Sequence, residues 1–121
     1  MMKNHIEAGF GAKSTWVFNM LTEYRGVAFS IGGDDSLAKD VLTLPNLLKL
    51  FNPNVTGFST GTGGATTVNS HYNQAVSGAV ASDLLDQAKA LYSRMASSPN
   101  FLTSYKMITI FIGGNLFVQS N

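Results

Sequence analysis

The chain has 121 residues, with eight Lys plus Arg against seven Asp plus Glu, and a formal net charge of +1. Only 12% of positions are charged and 45% are hydrophobic, so disorder and collagen-like repeats are excluded and the length fits one domain, residues 1–121. Without Lys/Arg clusters there is no electrostatic footprint for nucleic acid, and without cysteine there is neither a disulfide framework nor Cys-ligated zinc.

In chain order, no secretory leader is expected at the start, because Met1-Met2-Lys3 runs into polar Asn4-His5 instead of an apolar stretch of about 7–15 residues. The spacing of Trp16, Val17, Met20 and Leu21 predicts a helix over 14–24, stopped by Arg25-Gly26. Residues 27–31, Val-Ala-Phe-Ser-Ile, read as a short strand ended by Gly32-Gly33. Leu44, Leu47, Leu48, Leu50 and Phe51 form a helical stripe with Pro45 in the first turn and Asn52-Pro53-Asn54 as the stop, expected to pack on a sheet.

Residues 56–69 shift to Gly, Thr and Ser, the composition of a long surface loop. Ser82 is expected to cap a helix running to Ala96, with Leu84, Leu85, Ala88, Leu91 and Met95 on a buried face and Ser97-Ser98-Pro99-Asn100 ending it. Residues 106–112 are apolar on both faces, as a central parallel strand is. The longest uncharged apolar stretch, 107–118, holds Gly113, Gly114 and Asn115 and is shorter than the roughly 20 residues of a membrane span. Helices alternating with strands imply a layered α/β fold.

Three short patterns suggest chemistry. Gly9-Phe10-Gly11-Ala12-Lys13-Ser14 has the look of a phosphate loop, but Ala12 and Glu7 stand where its glycines are needed to close backbone N–H groups around phosphates, so no nucleotide cofactor is expected. Gly57-Phe58-Ser59-Thr60-Gly61 satisfies the Gly-x-Ser-x-Gly nucleophile elbow, yet a Gly/Thr-rich loop follows Ser59 where the elbow requires a helix. Gly32-Gly33-Asp34-Asp35-Ser36-Leu37 approaches a Gly-Asp-Ser-Leu nucleophile block with one Asp too many, and Gly and Asp also suit a turn at a strand end. Ser36 and Ser59 are therefore candidate nucleophiles whose structural reading is the simpler one. His71 sits in a polar Asn69-Ser70-His71-Tyr72 stretch and His5 near a terminus, neither at a defined spacing from a Ser and an Asp.

Seven segments in order resemble a known family: residues 21–26, 29–34, 43–46, 51–53, 57–61, 73–78 (Asn-Gln-Ala-Val-Ser-Gly) and 111–115 (Phe-Ile-Gly-Gly-Asn). Together they resemble a catalytic repeat of animal membrane-associated phospholipase B, one of the GDSL or SGNH lipases and esterases, over roughly residues 8–115. The resemblance implies a partial three-layer α/β/α sandwich with a parallel sheet, and hydrolysis of acyl esters of phospholipids or lysophospholipids without metal or cofactor. It further implies a membrane-anchored or extracellular parent protein.

By position, the resemblance makes Gly78 a backbone donor and Asn115 a side-chain donor to the oxyanion of a tetrahedral intermediate, where each such donor is worth about 10²–10³ in rate. At the family's Gly-Asp-Ser position this sequence has Lys3-Asn4-His5-Ile6-Glu7, with His5 at the nucleophile's place. The family's later Asp-x-x-His segment does not follow Asn115, where the sequence reads Leu116-Phe117-Val118-Gln119-Ser120-Asn121. A triad needs all three members within hydrogen-bond reach, so the chain alone is expected to be an incomplete SGNH-like domain with little or no activity, or a noncatalytic lipid- or partner-binding remnant. Missing layers would leave sheet edges and an apolar face uncovered. Asn54-Val55-Thr56 is an N-glycosylation sequon directly after a helix stop.

Overall fold

The computed structural model describes residues 22–112. Their order is a 3-10 turn at Arg25–Val27, another at Leu37–Lys39, helix α1 at Leu44–Leu48, 3-10 turns at Val68–Ser70 and Ala81–Asp83, and helix α2 at Leu84–Ala96.

Helix α1 begins where the sequence predicts. Thr43 is extended, its hydroxyl accepts from the Asn46 N–H at 3.3 Å, and Pro45 occupies the first turn, where its missing N–H costs nothing. The helix buries Pro45 and Asn46, and the Asn46 amide donates to the carbonyls of Asp34 (3.0 Å) and Val41 (3.1 Å), tying α1 to the loop before it. Lys49 at its end donates to the Gly33 carbonyl at 3.0 Å and lies 3.7 Å over the Phe58 ring. The expected apolar stripe stops short: Leu50 and Phe51 lie past the helix and are 68% and 87% exposed.

Helix α2 confirms the periodicity over 84–96 but corrects its cap. Asp83, not Ser82, stands at the N-cap of α2 and makes no side-chain bond to its first turn; its carboxylate instead accepts the Val80 N–H at 2.9 Å across the 3-10 turn through which the chain enters α2. The buried face expected from Leu84, Leu85, Ala88, Leu91 and Met95 does not form: no residue of α2 is fully buried, and Leu85 and Ala88 are exposed, because no described layer covers that side of the helix. Leu85 and Tyr92 are exposed, Tyr92 resting edge-on against Phe101 with ring centroids 5.6 Å apart. Arg94, on the partly covered side, reaches across to the Ala65 carbonyl (2.8 Å), the Ser70 hydroxyl (2.5 Å) and the His71 carbonyl, and so anchors α2 to the Gly/Thr-rich loop.

Two expected strands are absent. Val27 ends a 3-10 turn, and the N–H groups of Ile31 and Gly32 both donate back to the Ala28 carbonyl at 3.3 and 2.7 Å, folding 28–32 into a turn. A parallel bridge from Gly32 to Ser59 is what remains of the expected pairing, with Ser59 N–H on the Ile31 carbonyl (2.9 Å) and Gly33 N–H on the Ser59 carbonyl (2.8 Å). Residues 106–112 form no strand either, and Met107, Ile108, Ile110 and Phe111 are exposed. A two-sided apolar strand is stable only when layers cover both faces, and the described residues supply none. Of the helix expected over 14–24, residues 14–21 lie outside the described residues and 22–24 are not helical.

The centre of the molecule is polar. Among the described residues Ala28, Ala79 and Pro45 are the buried apolar side chains, whereas Arg25, Thr43, Asn46, Ser59, Ser70 and Asn73 are buried polar ones. Among the described residues every buried side-chain polar atom has a hydrogen-bond partner, the condition under which such burial is tolerated.

Candidate functional site

The site grows outward from Arg25, whose side chain is fully buried. Its guanidinium fork offers five donors in a fixed plane, and three loops converge on it. Nε donates to the Gly63 carbonyl at 2.5 Å, Nη1 to the Asn73 carbonyl at 3.2 Å, and Nη2 to the Ala75 carbonyl at 2.7 Å and the Glu23 carboxylate at 2.9 Å. The single charge is thereby neutralised by Glu23 and its N–H groups are spent on backbone oxygens. This arginine holds the start of the 73–78 segment.

Ser59 is the second anchor. It is fully buried, its Oγ donates to the Arg25 carbonyl at 2.7 Å, and it accepts from Asn73 Nδ2 at 3.3 Å. Asn73 in turn accepts the Ala75 N–H on Oδ1 at 3.1 Å, turning the backbone toward Val76. The structure therefore brings Ser59 of the Gly-x-Ser-x-Gly pattern together with Asn73 of the Asn-x-Ala-x-x-Gly pattern, as structural partners. A nucleophile must be exposed beside a base, and Ser59 is neither.

Ser36 is exposed at the start of the Leu37–Lys39 turn, with its carbonyl accepting from the Lys39 and Val41 N–H groups. His71 is also exposed, with φ +46°, and takes part through its carbonyl, which accepts from Arg94 and from Gln74 Nε2 at 3.4 Å. Its imidazole makes no hydrogen bond to either serine. Asp34, in the near Gly-Asp-Ser-Leu block, spends both carboxylate oxygens on the Gly61 N–H at 2.9 and 3.0 Å. Gly26 lets it do so, since a Cβ there would sit 1.9 Å from Asp34 Oδ2. No nucleophile, base and acid are assembled among the described residues. Nor do they contain a group of three His, Cys, Asp or Glu side chains able to hold a metal, or a helix long and apolar enough to cross a membrane.

Gly78 sits at the far end of the clamped segment. It is exposed, with φ +83°, a conformation that glycine adopts without a Cβ penalty, and a Cβ there would meet nothing within 4 Å. Its N–H donates to no described residue. An open depression of about 290 Å³ adjoins this segment, walled by Gln74, Val76, Ala79 and Ala90 with Asp83 and Asp86 at its margin. A larger one of about 540 Å³, beside Tyr92, Pro99, Phe101 and Leu102, lies at the other end of α2, away from Gly78. Asn115 and His5 lie outside the described residues.

Arg25 and Asn73 are the residues that the sequence reading missed. For Arg25 the signal was Glu23-x-Arg25, an acid two residues before an arginine; Asn73 stood in the 73–78 segment, but its bond to Ser59 and its carbonyl's bond to Arg25 depend on the fold.

No protein-family model and no solved structure matches the chain. Among curated proteins it is 47% identical over 114 residues to the mouse (Mus musculus) protein named phospholipase B1, membrane-associated, covering 91% of this chain and 8% of that protein. The rat (Rattus norvegicus) protein of the same name is 46% identical over 118 residues, covering 94% of this chain and 8% of its own length. The human (Homo sapiens) one is 45% identical over 109 residues, covering 88% and 7%. The chain thus spans less than a tenth of the relatives it matches.

Proposed function

This chain is related to the animal membrane-associated phospholipase B family through a single segment, and from that relation we propose that it carries the oxyanion-donating part of a serine ester hydrolase site. In this reading residues 1–121 are one incomplete SGNH-like domain of the three-layer α/β/α kind. Gly78 supplies a backbone N–H and Asn115 a side-chain amide to the negative oxygen that forms when an acyl ester is attacked. The substrate class is glycerophospholipid or lysophospholipid, the released product a fatty acid, and the chemistry calls for no metal or cofactor.

The observation that supports this best is the Gly78 segment itself. Arg25 and Ser59 hold its root through Asn73 and Ala75, while Gly78 at its tip has a left-handed backbone, open space around it and an N–H that no described residue takes. Preorganised donors of this kind act because they do not have to reorient as charge develops. The chain by itself turns over little or no ester, because Ser59 is buried in a structural role and neither it nor Ser36 is paired with a histidine among the described residues.

Fluorophosphonate labelling of the purified chain, shown to be folded by circular dichroism and followed by peptide mapping, tests this. The expected result is no adduct on any serine. An adduct on Ser36 or Ser59 would overturn the incomplete-site reading and make the chain a working hydrolase. A second reading, a noncatalytic lipid-binding remnant, is favoured by the exposed Met107, Ile108, Ile110 and Phe111. It requires binding to phosphatidylcholine vesicles without turnover, lost when Met107 and Phe111 are changed to Ser.

A further inference from the structure

Of the ten asparagines in the chain, at positions 4, 19, 46, 52, 54, 69, 73, 100, 115 and 121, Asn54 alone begins an Asn-x-Ser/Thr triplet, with Val55 in the middle and Thr56 third. We propose that Asn54 is an acceptor for an N-linked glycan. The proposal does not rest on the hydrolase reading, and it stands on how the fold treats this residue compared with its neighbours in type. Asn46 and Asn73 are buried and their side chains are spent inside the molecule. Asn69 donates to the Thr62 carbonyl at 2.9 Å, and Asn52 accepts the Asn54 N–H at 3.0 Å.

The Asn54 side chain makes no hydrogen bond to a described residue. It is exposed, Thr56 is exposed with it, and both project from the turn that follows α1. That turn is held by its backbone, with the Val55 N–H on the Asn52 carbonyl at 3.3 Å, and Pro53 restricts the chain entering it. An enzyme that must admit an extended acceptor triplet finds here a side-chain amide with nothing to give up. In the transfer, Asn54 Nδ2 attacks the anomeric carbon of a lipid-pyrophosphate-linked oligosaccharide. The C–N bond forms as the C–O bond to pyrophosphate breaks; the lipid pyrophosphate leaves with the electron pair and the amide loses one proton. Leu50 and Phe51, both highly exposed, stand four and three residues before the acceptor, so the sugar shields an apolar shelf that the polypeptide leaves bare.

The test is expression of the full chain behind an appended secretory leader in animal cells, with the cell-retained and the secreted pools both digested with peptide-N-glycosidase and mapped by mass. One glycan is expected, on Asn54, with the residue converted to Asp by the glycosidase. It is lost in Asn54→Gln and in Thr56→Ala and kept in Thr56→Ser. An unmodified Asn54 in protein that has entered the secretory lumen, shown by leader cleavage, overturns the proposal, as does a glycan that persists in Asn54→Gln. The shielding role has its own readout: the glycosidase-treated chain self-associates more in sedimentation than the untreated chain, and equal association would remove that part.

Discussion

Arg25→Met is expected to destabilise the fold by about 3–5 kcal/mol, the range found when one partner of a buried charged network is removed. Few changes in this chain reach as far. The substitution leaves the carbonyls of Gly63, Asn73 and Ala75 without their donor and strands the Glu23 carboxylate, 16% exposed, without its cation. Since small domains are held by roughly 5–15 kcal/mol in total, the variant should be largely unfolded in modest denaturant. Arg25→Lys should fall between, because one ammonium keeps the charge but cannot span three carbonyls as a planar fork does. Adding Glu23→Gln to Arg25→Met should recover part of the loss by removing the stranded charge. Urea titrations followed by circular dichroism measure all three. If Arg25→Met cost under about 1 kcal/mol, the scale of an exposed ion pair, Arg25 would not be the centre of the fold.

Gly32→Ala should be the next most damaging small change, although its backbone angle is ordinary. A Cβ at Gly32 would lie 2.6 Å from the Ala28 nitrogen, 2.6 Å from the Gly26 carbonyl oxygen and 2.7 Å from the Ala28 carbonyl oxygen. All three are backbone atoms of the turn that Gly32 closes, so relief requires moving the turn and loosening its bridge to Ser59. A cost of about 1–3 kcal/mol follows from overpacking of this kind. Gly61→Ala is the informative control: its nearest neighbour is the Asn69 side chain at 3.3 Å, and its penalty comes from φ +53° instead, about 1–2 kcal/mol for a left-handed L-residue. Hydrogen exchange separates them. Gly32→Ala should expose the amides of Ser59 and Gly33, and Gly61→Ala should leave them protected; the reverse pattern would refute the steric account.

The elements legible in the sequence were those whose signals are local. Pro45 marks the first turn of α1, although the helix ends at Leu48, short of the expected stop at Asn52-Pro53-Asn54, and the spacing of Leu84, Leu85, Ala88, Leu91 and Met95 gives the helical span of α2. The start of α2 was misplaced by one residue because Ser82 and Asp83 are both suited to a cap position, and the 3-10 entry, across which Asp83 accepts the Val80 N–H, puts Asp83 next to the helix. Residues 27–31 failed as a strand for a non-local reason. Their composition is β-like, but a strand also needs a neighbour to pair along its length, and the pairing is limited to Ser59 with the Ile31 carbonyl and the Gly33 N–H while the Ala28 carbonyl collects the N–H groups of Ile31 and Gly32.

The candidate site was legible in part. Motif order picked out Gly78, whose φ of +83° and open surroundings explain why a glycine stands there, while its donor role rests on the resemblance alone. Ser59 was picked out with its structural alternative, and burial with two hydrogen bonds decides for the alternative. Arg25 was legible only as a helix stop. Its role depends on carbonyls 38, 48 and 50 residues away, and no window along the sequence contains them.

Among the described residues the centre is made of a guanidinium, amides and hydroxyls, with Ala28, Pro45 and Ala79 as its buried apolar side chains, and this bears on how stability varies with temperature. Exposure of apolar surface raises the heat capacity of the unfolded chain and exposure of polar surface lowers it. Unfolding the described residues releases a largely polar interior, so calorimetry should find a heat-capacity increment below the usual net value of about 12–15 cal/mol/K per residue. The stability curve is then shallow, and chilling the protein withdraws little of what holds it together.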